Sequence, residues 1–147
     1  MTTLIRPNTI ETILERLASI EQIRYVALDQ GQLDQYSDSE TARPPIATPA
    51  LLVSLTGESI APYKGCSEAI LTIDIRLITD CSTIANYAAP SQHIANAATP
   101  YSLIPEVVER LTGVDSEMAY LGFDEGMRQR TLSELKLHFR LRGLLHE

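Results

Sequence analysis

The chain has no tryptophan, two phenylalanines and six tyrosines in 147 residues. Aromatic residues reach 5%, too few to expect the stacked platforms on which single-stranded nucleic acids lie. Positive charge is also scarce: Lys and Arg number 12 against 19 Asp and Glu, a formal net charge of −7. A surface built to hold phosphates carries the opposite balance, so no nucleic-acid partner is expected. No apolar run approaches the roughly 18 residues of a membrane-crossing helix, and no membrane partner is expected. The opening MTTLIRPNTIET lacks the apolar h-region of a signal peptide, so the default expectation is a cytosolic protein. Cysteine is limited to Cys66 and Cys81. A straight strand between them, rising about 3.3 Å per residue, holds them far beyond the Cα separation of about 7 Å that a disulfide tolerates. Both are read as free thiols, and their spacing is too wide for a CxxC motif.

Signature motifs are missing as well. GxGxxG, the P-loop, HExxH and GxSxG do not occur. His93, His138 and His146 are spread too widely for a zinc-binding set. Asp34, Asp38 and Glu40 lie in one polar stretch but lack the glycine and glutamate of an EF-hand, so they are read as a solvated acidic loop. His93 is read as a surface loop residue, with no partner motif beside it. No catalytic, cofactor-binding or metal site is assigned, and an enzyme is not expected.

What the chain does have is strand alternation. From Ala69 to Thr79, Leu71, Ile73, Ile75 and Leu77 point one way while Thr72, Asp74 and Arg76 point the other. A slip of one residue would bury Asp74 and Arg76, so the register is firmly specified. Thr131 to Arg142 repeats the pattern, with Leu135, Leu137, Phe139 and Leu141 opposed to Glu134, Lys136, His138, Arg140 and Arg142. Complementary charge and similar length make these two strands expected neighbours. The charged face is then either a balanced, solvated surface or a contact with another subunit. Its residues Thr72, Asp74, Arg76, Glu134, Lys136, His138 and Arg140 are the candidate interface. No carboxylate or nucleophile partner for His138 is visible in the pattern, so it is read as a surface or interface residue and not as a general base.

The remaining elements follow in order. Asn8 to Ile20 is an amphipathic helix with the stripe Ile10, Ile13, Leu14, Leu17 and Ile20, Asn8 as N-cap and Glu11 in the capping-box position. Thr2 to Arg6 is a loose lead-in. Ile23 to Leu28 is a short strand, followed by a long loop over about 29–48. Pro49 to Leu55 is an apolar strand, and Gly57, Pro62 and Gly65 then mark a turn leading back to Ala69. Residues 80–99 are a long Ala-rich connection with at most a short helical turn. Ser102 to Leu111 is a second helix, with Ser102 as its cap, Pro105 in its first turn and Gly113 at its end. Glu117 to Phe123 is a strand with a bulge at Gly122, and Asp124, Glu125 and Gly126 form a turn.

Hydrophobic residues at 44% and charged residues at 21% are ordinary globular values. The expected fold is one α+β domain over residues 1–147. It has two layers: a mostly antiparallel sheet of four to five strands, with two helices packed on one face.

This order of elements resembles the small phage tail terminator (tail completion, minor tail) proteins. The residues that carry the resemblance are the helix ETILERL, the polar loop before PALLVSL, the long strand ILTIDIRLITD, the later helix VVERLTG and the terminal hairpin ending LKLHFRLR. The resemblance implies a non-enzymatic phage or prophage structural protein without cofactors. It implies a self-associated ring, often a hexamer, at the end of the tail tube where tail meets head. The implied partners are further copies of the chain and the tail-tube and neck proteins, met through the 29–48 loop and one sheet face. Assembly would occur in the host cytoplasm and the product would sit in the virion tail. The alternatives are another phage neck or head-completion protein, or a cellular α+β adaptor that binds one protein partner.

Overall fold

The computed structural model describes residues 4–5, 7–33, 46–63, 66–80, 91–126 and 132–146. Its elements in chain order are β1 (Leu4–Ile5), α1 (Pro7–Ala18), β2 (Tyr25–Leu28), β3 (Ala50–Tyr63), β4 (Cys66–Asp80), α2 (Ser91–Thr112), β5 (Met118–Glu125) and β6 (Leu132–His146). Six strands form one sheet in the order β2-β3-β4-β6, with β5 and the two-residue β1 sharing the far edge of β6. The three long pairings, β3–β4, β4–β6 and β5–β6, are antiparallel. The short outer pairs β2–β3 and β1–β6 are parallel. The architecture is thus the expected α+β fold, helices on a mostly antiparallel sheet.

The two alternating strands lie side by side, with Leu71 opposite Leu141, Ile73 opposite Phe139, Ile75 opposite Leu137 and Leu77 opposite Leu135. All eight are buried, and they form the floor of the main core. The helices lay their stripes on that floor: Ile13 and Leu17 from α1, and Leu103, Val107 and Leu111 from α2. The helix ends are tied together. Arg16 Nε donates to the Arg110 carbonyl at 2.7 Å, and Arg110 Nε donates to Ser19 Oγ at 2.9 Å. Each guanidinium thus sits in the last turn of a helix, where positive charge opposes the negative end of the dipole.

Several boundaries differ from expectation, each for a physical reason. Helix α1 starts at Pro7, whose fixed φ suits the first helical position. Asn8 is therefore inside the first turn, where its carbonyl accepts from Thr12 Oγ1 at 2.8 Å. The lead-in contributes β1, paired with Leu144 and Leu145. Helix α2 begins at Ser91, well inside the expected Ala-rich connection, and carries Pro100 and Pro105 in its interior. Three alanines in 91–99 favour helix without any apolar stripe to announce it. Ser102 and Pro105 are consequently not at a helix start.

Strand β3 continues to Tyr63, through the expected turn residues Gly57 and Pro62. Beyond Val53 it has left β2 and, among the described residues, pairs with β4 alone, and a sheet edge is where Pro and Gly are tolerated. Strand β5 extends through Asp124 and Glu125, which pair with Lys136 and Leu135 instead of forming a turn. Gly122 is a bulge as expected: the register shifts between Tyr120 and Gly122, and Gly122 has φ of 116°. Strand β4 runs from Cys66 to Asp80, while Cys81, Asp34, Asp38 and Glu40 lie outside the described residues.

The second sheet face is not uniformly polar. At one end, Leu33 and Ile46 close over Ala50, Leu52, Ile78 and Leu132, with Tyr25 packed against them. The segments flanking the long loop thus cap part of the face that the alternation assigns to charge.

Candidate functional site

The polar sheet face collects every candidate interface residue. Thr72, Asp74 and Arg76 of β4 stand opposite Arg140, His138 and Lys136 of β6, and Glu134 follows two residues before Lys136. These side chains divide into a covered end and an open end.

At the covered end Arg76 is gripped from two sides. Its Nε donates to Glu134 Oε1 at 2.7 Å, and its Nη1 donates to Asp29 Oδ2 at 3.0 Å. The side chain of Glu134 is only 5% exposed and that of Arg76 19%. Burial alone would lower the Arg76 pKa, but the bonds to Glu134 and Asp29 outweigh it and the value rises. Gly126 seals the site. Its N–H donates to the Glu134 carbonyl at 2.9 Å, and a Cβ there would stand 2.5 Å from the Glu134 carboxyl carbon. Arg76 and Glu134 are therefore turned inward, into a three-way ion pair under the small second core.

At the open end His138 lies between two carboxylates from different strands. Asp74 Oδ1 of β4 is 2.6 Å from Nδ1, and Asp124 Oδ2 of β5 is 2.8 Å from Nε2. The direct β4–β6 pairing places Asp74, while the Gly122 bulge sets the β5 register that places Asp124 diagonally. A ring nitrogen facing an ionised carboxylate donates to it, so the two contacts favour the doubly protonated imidazole. Hydrogen bonding of the ring to Asp74, then to Asp124, raises the His138 pKa above its ordinary 6.5. In that form the ring has no lone pair for proton abstraction. The carboxylates sit on opposite sides of the ring, so they do not converge on a shared cation. Among the described residues, no three His, Cys, Asp or Glu side chains gather as a metal site requires. What the arrangement does is join β4, β6 and β5 by charge across the open face.

Lys136 and Arg140 are exposed on the same face. Arg142 forks onto Glu68. An open cleft of about 370 Å³ lies where Ile70, Arg140 and Arg142 meet residues 116–119. His93 lies in α2, not in a loop.

Two participants escape the sequence pattern. Asp29 belongs to an expected loop, and Asp124 to an expected turn. The bulge at Gly122 is the signal that could have found Asp124, because an extra residue in β5 changes which side chains share the face of β6. The third feature that the pattern hides is apolar. Tyr101, Leu121 and Phe123 are the exposed large hydrophobic side chains among the described residues. Leu121 and Phe123 belong to β5, and the rings of Tyr101 and Phe123 meet edge-to-face at 6.4 Å. Compared with protein-family models and with curated proteins, the chain matches none.

Proposed function

We propose that this chain is a non-enzymatic phage or prophage structural protein, a tail terminator whose copies form a ring at the head end of the tail tube. The observation that carries the reading is the order and layering of elements. An amphipathic helix and short strand precede a long antiparallel hairpin, and a second helix precedes two antiparallel strands, with both helices on one sheet face. That is the pattern on which the resemblance to tail terminators rests. The ion pairs of the polar face suit a rigid building block, since they fix strand to strand and leave Lys136 and Arg140 outward for tail-tube or neck proteins. In this reading the protein needs no cofactor, assembles in the host cytoplasm and remains in the virion tail.

The test begins with the genes on either side of this one. Capsid, tail-tube or tape-measure genes are the expected neighbours, and a metabolic operon would count against the reading. Mass photometry of the purified protein, alone and with tail tubes, then follows. Closed oligomers, free or on tube ends, are expected; a monomer that ignores tubes contradicts the proposal.

A further inference from the structure

Among the described residues the sheet ends in β2 on one side, and on the other in β5 and, farther along β6, the two-residue β1. Among the described residues β5 pairs with β6 alone and β2 with β3 alone, and only the Leu28 carbonyl at the end of β2 is also seen to accept from a side chain, Gln32 Nε2 at 2.9 Å. A row of unpaired backbone groups along a strand is a template for another strand. The β5 edge also gathers the exposed Leu121, Phe123 and Tyr101. An acidic residue follows directly, since Glu125 accepts from the Tyr101 hydroxyl at 3.2 Å. At the opposite edge, Arg24 is exposed immediately before β2. Val26 and Leu28 pack against the main core from the helix side of the sheet, while Tyr25 packs on the other side.

We infer that the β5 edge of one copy pairs with the β2 edge of the next, so that the sheet continues from subunit to subunit. Strand directions allow it. β2 runs with β3, β3 against β4, β4 against β6 and β6 against β5. β2 and β5 therefore run in opposite senses. A neighbour placed beside this chain in the same orientation, with its helices on the same side, presents its β2 antiparallel to β5. That is the relation a rotation axis along the strands generates, and a repeated head-to-tail contact of this kind closes into a ring.

The side chains fit one register. With Val26 of the neighbour opposite Phe123, Arg24 falls opposite Glu125. Val26 and Phe123 share the helix side, and Ala27 meets Gly122, which has no side chain to obstruct it. Opposite charges facing each other across an antiparallel pair are favourable, as are aromatic and β-branched neighbours. Pairing of β5 with a second β5 is disfavoured by charge. Glu117 precedes that strand and Asp124 and Glu125 end it, all exposed, so a two-fold contact brings carboxylates together.

This rests on the proposed self-association, and the test separates the two ideas. Residues opposite each other in an antiparallel pair have Cα atoms about 4.5–5.5 Å apart, within disulfide range. With both native cysteines replaced by serine, R24C/E125C is oxidised and run on a non-reducing gel. The inference expects a ladder of covalent oligomers ending in one closed species, and no ladder from either single variant. Dimers only, or monomers only at millimolar protein, overturn it. Charge exchange is the second measurement. R24E and E125R should each weaken association about tenfold, since facing like charges cost that much or more, and R24E/E125R should restore it. Rings that persist unchanged in both single variants overturn the edge contact while leaving ring formation standing. Cross-linked rings that ignore tail tubes would sink the phage reading and leave the edge contact intact.

Discussion

Removing the Glu134 carboxylate should destabilise this protein more than any change to an exposed charge on the same sheet face. In Glu134→Ala, Arg76 keeps Asp29 but loses its shorter partner at 2.7 Å. Breaking a buried ion pair by deleting one member costs about 3–5 kcal/mol. Arg76 is 19% exposed and retains its second carboxylate, which puts the expectation lower, at about 2–3 kcal/mol. For a chain of this size that is a melting-temperature drop of roughly 4–12 °C. Urea titration should show a lower midpoint with an unchanged slope, because the surface exposed on unfolding is the same. The triple variant Asp29→Asn, Arg76→Met, Glu134→Leu should recover most of the loss, since apolar residues of similar volume avoid the desolvation penalty and no carboxylate is left without its cation. A loss below about 0.5 kcal/mol in Glu134→Ala, the scale of a surface pair, would refute the burial argument and return both residues to the open interface.

His138 should titrate above its ordinary 6.5, because Asp74 first and Asp124 second favour the charged ring. Its stabilising contribution is then complete below about pH 6.5 and is lost as pH rises through the raised folded value. The stability gap between wild type and His138→Gln should shrink across that upper window. An NMR titration midpoint at or below 6.5 would contradict the clamp. Gly122→Ala meets no atom within 4 Å but must hold φ of 116°. It should cost about 1–3 kcal/mol through the backbone alone, read by thermal melting; an unchanged melting temperature would mean that the bulge can relax. Thr79 Oγ1 is buried with no hydrogen-bond partner among the described residues. Thr79→Val should raise stability by about 1–2 kcal/mol in urea titration, and a loss would show that the hydroxyl is satisfied.

The core of the fold was legible because period-two alternation is unambiguous when one face is buried. Leu71 to Leu77 and Leu135 to Leu141 announced both strands, their burial and, through charge, their adjacency. The rest was hidden where local signals and tertiary context disagree. Gly57 and Pro62 read as a turn, yet at an edge they cost β3 little. Ser102 and Pro105 read as a helix start, yet α2 runs through Pro100 and Pro105 alike, with Leu103 and Val107 buried between and beyond them. The polar face was half legible. Its residues share a surface as expected, but Leu33 and Ile46 have no periodicity to show that they fold back over one end. That covering is what separates Arg76 and Glu134, turned inward, from Lys136 and Arg140, turned out. The Asp74–His138 contact follows from pairing alone, whereas Asp124 depends on a one-residue shift that only the bulge reveals.

The ring reading meets its most direct test in immunogold electron microscopy of phage particles induced from cells that carry this gene. A tail terminator predicts label confined to the junction of head and tail, and tails of uncontrolled length or failed head joining when the gene is deleted. Particles without label, or label spread over capsids, would contradict it.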